Sequence, residues 1–235
     1  MQDFLEAFVL AFDLVFSGNK DLIEIVMLSL RVSLTAVAFS IVIGLPLGAA
    51  LATFRFYGRS LVVVVLNALM GLPPVVVGLI VYLQFSRAGP MGSFGLLYTP
   101  TAMIIAQVIL ILPIVAALSR QIIEDLNTEY SEQLYSLSIP KGKAIHALIW
   151  DGRYSLVTVA LAGFGRAIAE VGAVIIVGGN IDHLTRVMTT AIALETSKGD
   201  LPLALALGVV LLSIALAVNA SVMSLRSAAG RYTDA

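Results

Sequence analysis

The sequence predicts an all-α integral membrane protein of about five transmembrane helices. Three observations lead there. Of 235 residues, 59% are hydrophobic and 12% charged, whereas soluble domains carry about 45–50% apolar and about 25% charged residues. The charges are spaced to leave long apolar stretches, and a bilayer core about 30 Å thick needs roughly 20 apolar residues per helix. Many of the remaining charges crowd into one loop: nine of the 14 Lys/Arg and 15 Asp/Glu residues lie within 120–153. Lipid is therefore the expected solvent for most of the chain, and residues 1–235 are expected to form a single transmembrane domain.

Residues 1–30 come first. Phe4, Leu5, Phe8, Val9, Phe12, Val15 and Phe16 recur at helical spacing, with Asp3, Glu6 and Asp13 between them. No stretch there is long enough to cross, so an N-terminal interfacial helix is expected. The start, Met1-Gln2-Asp3-Phe4-Leu5-Glu6, is acidic and lacks the positive region of a cleaved signal peptide, so the chain is expected to keep its beginning.

The spans follow from the gaps between charges. Arg31 to Arg55 encloses 23 uncharged residues, Arg59 to Arg87 encloses 27, and Asp200 to Arg226 encloses 25. Arg87 to Arg120 encloses 32, of which the first part (AGPMGSFGLLYT) is loop-like. A further stretch, Tyr154 to Ile181, is apolar around Arg166 and Glu170. The expected spans are thus 32–54, 60–85, 98–119, 155–181 and 201–225. Small residues four apart let helices approach closely; Gly44 with Gly48, and Gly165 with Ala169 and Ala173, mark packing faces inside the chain or at a dimer interface. Pro46 and Pro113 read as ordinary kinks.

Between the third and fourth spans, Pro140 after Ser138 signals a helix break and a new start with Pro in the first turn. The loop reads as two short helices, roughly 121–137 and 140–150. With 120–153 taken as cytoplasmic, that side carries Arg55, Arg59, Arg120, Lys141, Lys143, Arg153, Arg226 and Arg231. The other side carries Lys20, Arg87, Arg186 and Lys198. Cationic loops stay inside, so the N-terminus is expected outside and the C-terminus in the cytoplasm.

The loop resembles the cytoplasmic loop of ATP-binding-cassette importer permeases, whose pattern is Glu-Ala-Ala, three residues, Gly, nine residues, then Ile-x-Leu-Pro. Glu132 falls on the Glu, Gln133 and Leu134 on the alanines, and Ser138 on the glycine. Leu148 falls on the Ile and Trp150-Asp151 on the Leu-Pro. The loop also stands before the last two spans, as in that family. Elsewhere GLPPVVVGLIVYLQFSRAGPMG, TPTAMIIAQ, AEVGAVIIVGGNI and TTAIALETSKGD are similar to permeases of the tungstate-uptake branch, relatives of the molybdate and sulfate permeases. The resemblance implies a type I importer permease fold and a homodimer. It also implies two separate ATPase subunits and an extracytoplasmic oxyanion-binding protein. The loop would then hold the coupling helix that docks the ATPase, with Glu132, Ser136, Ser138, Pro140, Lys141, Gly142 and Lys143 as its candidate residues. Tungstate is the expected substrate, with molybdate or sulfate as alternatives.

Three features inside the membrane are candidates for the translocation pathway. Arg166 lies about ten residues into its span, or ~15 Å deep, and Glu170 is four residues on, within reach on one helix face. Intramembrane charges face the protein interior and mark function by default. Two readings stand: a neutralised pair that fixes helix packing, or an arginine that eases a dianion through an apolar pore. Gly71-Leu72-Pro73-Pro74, followed by Gly78, removes two backbone donors and kinks the second span. Pro73 and Pro74 therefore mark either a pathway helix or an inert kink packed on a neighbour. Residues 180–200 contain a short apolar helix, 187–194, that dips back toward the pore. There Thr189, Thr190, Thr196 and Ser197 serve either as donors to an oxyanion or as caps and turns.

Other classes find less support. A net charge of −1 argues against a nucleic-acid partner. Without cysteine there are no disulfides or thiolate metal sites. His146 and His183 are the only histidines and lie on opposite sides of the expected membrane, so no metal site and no cofactor are expected. There is no Walker phosphate loop, so ATP hydrolysis belongs to a partner rather than this chain, which is not itself expected to be an enzyme. Gly163 and Gly165 do not make a dinucleotide fingerprint, because Ile168 replaces the third glycine. A secondary carrier would favour repeated halves, which the sequence lacks, and a channel would not need the charged loop.

Overall fold

The computed structural model describes Val9, Phe12, Asp13, Gly18 and residues 20–231, and among these the regular elements are all helical. In chain order they are α1 (Lys20–Thr53), α2 (Arg59–Leu69), α3 (Pro74–Phe85) and a 3₁₀ turn (Gly92–Phe94). Then come α4 (Pro100–Glu129), α5 (Ser131–Ser136), α6 (Lys141–Asp151) and α7 (Arg153–Ile168). The chain closes with α8 (Gly172–Gly178), α9 (Met188–Lys198) and α10 (Leu201–Arg231). Three of them, α1, α4 and α10, are long and apolar enough to cross a membrane. Two broken pairs, α2 with α3 and α7 with α8, pass the same test together and raise the count to 5 if each is one span.

Several boundaries differ from the sequence reading. The first helix begins at Lys20 rather than near 32. Charges limit the stretch that hydrocarbon can hold, but not the helix, and Asp21 in the first turn suits the positive end of its dipole. The interfacial helix expected in residues 1–30 lies mostly outside the described residues, and its last third is the start of α1. Likewise α4 runs on past 119 to Glu129, absorbing most of the first loop helix expected at 121–137. Nothing from 120 to 129 breaks a helix, Arg120 pairs with Glu124 one turn on, and Ile123 is fully buried.

The second span is broken, with a 98° bend, rather than kinked. Its first half tightens as it ends, the Gly71 and Leu72 N–H groups donating to Ala68 and Leu69 carbonyls at 3.1 and 3.2 Å. Pro73 disfavours helical geometry in the residue before it, and Pro74 opens α3 at the first helical position, where a missing N–H is harmless. The fourth span is broken as well, bending by 57° between Ile168 and Gly172. Gly165, Ala169 and Ala173 therefore do not share one helix face.

The chain forms two compact units, one of residues 1–34, 74–107 and 168–235, the other of 35–73 and 108–167. In the first unit α3 meets α8 backbone to backbone. A Cβ on Gly78 would lie 2.8 Å from Ala173 Cα, and one on Gly172 3.0 Å from Val75 Cγ2. Leu22, Met188, Ala191, Ala206, Leu207 and Val210 form a second buried cluster there. In the other unit the later part of α1 packs on α4 through Gly44 and Gly48. A Cβ on Gly44 would come 3.1 Å from Val115 Cγ1, and one on Gly48 would collide with the Ala116 carbonyl. The Gly44–Gly48 face is thus used within the chain. Leu51, Leu66, Ala116 and Ala117 are buried together beside it.

Outward faces stay apolar. Val42, Leu61 and Leu216 are 70%, 68% and 69% exposed. Leaving such side chains in water forgoes roughly 1.5–3 kcal/mol each, so these surfaces suit a lipid surrounding.

Candidate functional site

The charged loop is a continuation of α4 with two short helices mounted on it. α5 ends in a paired cap: the Ser138 N–H donates to Tyr135 O at 3.0 Å and the Ile139 N–H to Leu134 O at 3.1 Å. This arrangement needs a left-handed residue at its turn, a place usually held by glycine. Ser138 holds it, with φ 48°. The residue that aligned with the pattern's glycine thus occupies the position whose backbone favours glycine.

Pro140, extended at φ −65° and ψ 143°, is the N-cap of α6 rather than its first-turn residue. Its carbonyl accepts the Lys143 and Ala144 N–H groups at 2.9 and 3.0 Å. Ala144 and Leu148, four apart, are the buried face of the helix. At its end, a Cβ on Gly152 would lie 2.9 Å from Leu126 Cδ1 of α4, so α6 is seated directly on the extension of that helix. The opposite surface is open. Glu132, Ser136, Ser138, Pro140, Gly142 and Lys143 are all exposed, and Lys141 opens α6.

Large apolar groups are exposed alongside them. Tyr135, Leu137 and Trp150 are 87%, 71% and 67% exposed. An open groove of about 320 Å³ beside them is lined by Leu134, Leu137, Ile139, Leu148 and Trp150. At its edge the Tyr130 hydroxyl bonds to the Asp151 carboxylate, and that bond and charge hold the phenol above its ordinary pKa. The Arg153 guanidinium lies 4.9 Å from the Trp150 ring and 4.4 Å from the Tyr154 ring. Its Nη1 donates to Trp150 O at 2.7 Å, which fixes the end of α6.

The pathway candidates are placed as follows. Pro73 and Pro74 stand at the break between α2 and α3. Arg166 is in the last turn of α7, partly exposed. Glu170 lies just beyond the end of that helix. The buried Glu170 carboxylate accepts the Ala173 N–H at 3.0 Å, capping α8 across the break. The Glu170 carbonyl accepts the Thr189 hydroxyl at 2.8 Å.

Thr190 Oγ1 accepts the Val187 N–H at 3.1 Å and donates to Val187 O at 3.0 Å. Thr196 and Ser197 donate to Ile192 O and Leu194 O at 2.8 and 2.7 Å. In this conformation all four hydroxyl hydrogens are directed at backbone carbonyls, as capping and turn formation require.

Two ion contacts join residues far apart in the chain. Arg59 Nη2 pairs with Glu124 Oε1 at 2.7 Å across 65 positions. His183 Nδ1 lies 2.9 Å from Glu24 Oε2 across 159 positions. That hydrogen bond first, then the charges of Asp182, Glu24 and Asp21, raise the His183 pKa above its usual value. Arg120 with Glu124, Asp182 with Arg186 and Glu195 with Lys198 pair at helical spacing.

The model of the family described as "Binding-protein-dependent transport system inner membrane component" matches residues 44–230. The chain is 42% identical over 226 residues to the tungstate uptake system permease protein TupB of Peptoclostridium acidaminophilum, covering 96% of this chain and 99% of that one. It is 43% identical over 204 residues to a probable anion ABC transporter permease protein of Haloferax volcanii, covering 85% and 88%. A sulfate transport system permease protein CysT of Salmonella typhimurium is 27% identical over 220 residues, covering 91% and 79%.

Proposed function

The chain belongs to the binding-protein-dependent transport system inner membrane component family, and from that premise we propose that it is the permease of an ATP-binding-cassette importer for an oxyanion, tungstate ahead of molybdate or sulfate. The whole chain acts as one multi-pass permease domain. It works with ATPase subunits that supply the energy, an extracytoplasmic oxyanion-binding protein that delivers the anion, and a second copy of itself.

One observation carries the reading: α6, seated on α4 by Ala144, Leu148 and Gly152, leaves Tyr135, Leu137, Trp150 and the polar row from Glu132 to Lys143 open to a partner. Exposed aromatic anchors within a polar rim are the usual makeup of a strong protein contact. This surface docks the ATPase. The preference for tungstate rests on the likeness to the tungstate uptake permease over nearly the full length of both chains.

In the proposed cycle the anion passes the helix breaks at Pro73–Pro74 and at Ala169–Val171. Non-helical backbone at membrane depth is tolerated only where protein buries it or where it lines a cavity. Arg166 and Glu170 adjoin the second break in sequence, Thr189 reaches it by its hydrogen bond to Glu170 O, and Thr190 follows Thr189 in the chain. For the threonines to meet an anion, their present bonds to Glu170 O and Val187 O must open. The cationic loops place the N-terminus outside and the C-terminus in the cytoplasm.

The test is uptake of tungstate by proteoliposomes holding the permease, its ATPase and its binding protein, with ATP inside. Uptake is expected to require ATP. Replacing Glu132, or inserting residues next to Ser138, is expected to uncouple hydrolysis from uptake while the protein stays in the membrane. Normal uptake by the insertion variant, or uptake without the ATPase, would sink the proposal. A single cysteine at Gly18, in a chain with none of its own, checks the orientation by which side labels it.

A further inference from the structure

Arg59 has no part in the loop by sequence, yet its guanidinium holds three helices. It is the first residue of α2. Its Nε donates to the Leu51 carbonyl at 2.7 Å, one of the last four carbonyls of α1, which have no partner inside their own helix. A cation there also suits the negative end of the helix dipole. Its Nη2 reaches Glu124 Oε1 at 2.7 Å, and the other oxygen of that carboxylate is held by Arg120. Glu124 lies in the extension of α4 on which α6 rests, in the same turn as Ile122 and Leu126, which meet Gly152. The Arg59, Arg120 and Glu124 side chains are 24%, 17% and 36% exposed, so water screens them less than a surface pair.

Nearby, Gly48 brings the backbone of α1 against Ala116 and Arg120 of α4. A push on α6 therefore arrives at a point where α4 is tied by charge to α2 and by close packing to α1. We propose that Arg59 and Glu124 are positioning residues for transport, the clasp through which movement of the docking helix α6 reaches α1 and α2. This rests on the docking role given above to the loop.

The test uses the full complex in proteoliposomes and reads tungstate taken up per ATP hydrolysed. Arg59→Ala and Glu124→Gln are expected to assemble with the ATPase and hydrolyse ATP, with uptake per ATP reduced about five- to tenfold, the effect of a typical coupling energy. Arg59→Lys keeps the charge but cannot serve Leu51 and Glu124 together, so it should fall between. The exchange Arg59→Glu with Glu124→Arg should recover part of the loss. An unchanged ratio in both single variants overturns the clasp, and so does loss of the ATPase from the complex, which would mean a role in docking.

The same variants in detergent are read by amide hydrogen exchange over 50–60 and 120–130. Faster exchange in both segments is expected whatever the protein transports, and no change in either overturns the clasp on its own. Failure of the wild type to take up tungstate with ATP counts against the proposed function instead.

Discussion

Glu170 accepts the Ala173 N–H at 3.0 Å from a buried position, so this carboxylate caps a half-helix. Glu170→Ala leaves that amide buried without a partner, a loss of about 1–3 kcal/mol. Glu170→Gln keeps an acceptor and should lose less. Arg166→Leu combined with Glu170→Leu should not recover stability, because the Ala173 amide stays uncapped. Thermal unfolding in detergent, followed by size-exclusion chromatography, measures all three, and a double variant as stable as the wild type would contradict the capping role.

Ser138 has φ 48°, which places a side chain where the left-handed backbone disfavours one by roughly 1–2 kcal/mol. Ser138→Gly should therefore stabilise the joint between α5 and α6 by about 1 kcal/mol, and Ser138→Val should weaken it. Hydrogen exchange at Leu137–Ile139 reports the local effect. A glycine variant that exchanges faster than wild type would refute the assignment.

Gly78 and Gly165 should respond in opposite directions to alanine. At Gly78 the new Cβ would lie 2.8 Å from Ala173 Cα, and backbone cannot swing away as a side chain can. Overpacking of this kind costs about 1–3 kcal/mol. Gly165 has nothing within 4 Å of the same position, and alanine in a helix interior is favoured over glycine by roughly 0.5–1 kcal/mol. The melting temperatures of the two variants should move apart, Gly78→Ala down and Gly165→Ala level or up.

His183 supplies the pH dependence. Its pKa is raised, chiefly by the hydrogen bond to Glu24. Below the unfolded value of about 6.5 the proton is held in both states and the tie contributes fully. As pH rises through the raised folded value the proton leaves and the contribution is lost. Amide exchange across residues 181–187, corrected for its intrinsic pH dependence, should quicken over that window in the wild type. His183→Asn and Glu24→Gln should flatten the response, and a flat wild-type profile would dismiss the tie.

What the sequence determined by itself is what lipid and the linear order of residues enforce. A run of apolar residues between charges needs no partner to choose its solvent, so the hydrophobic stretches at 32–54, 98–119 and 201–225 are legible without a fold. The start of α6 is equally local, because Pro140 acts through its own ring. Tertiary structure decided where helices stop and what their charges touch. Gly71-Leu72-Pro73-Pro74 announces a disturbance, but a 98° turn rather than a kink depends on Gly78 finding Ala173. Arg166 and Glu170 are four apart in sequence, but the helix that carries Arg166 ends at Ile168. Where it ends turns on a contest between the next helical hydrogen bond and the carboxylate's bond to Ala173. Arg59 and Glu124 are 65 positions apart, and no periodicity connects them. Their pairing exists because Gly44 and Gly48 let α1 lie on α4, which brings the start of α2 beside the turn that carries Glu124.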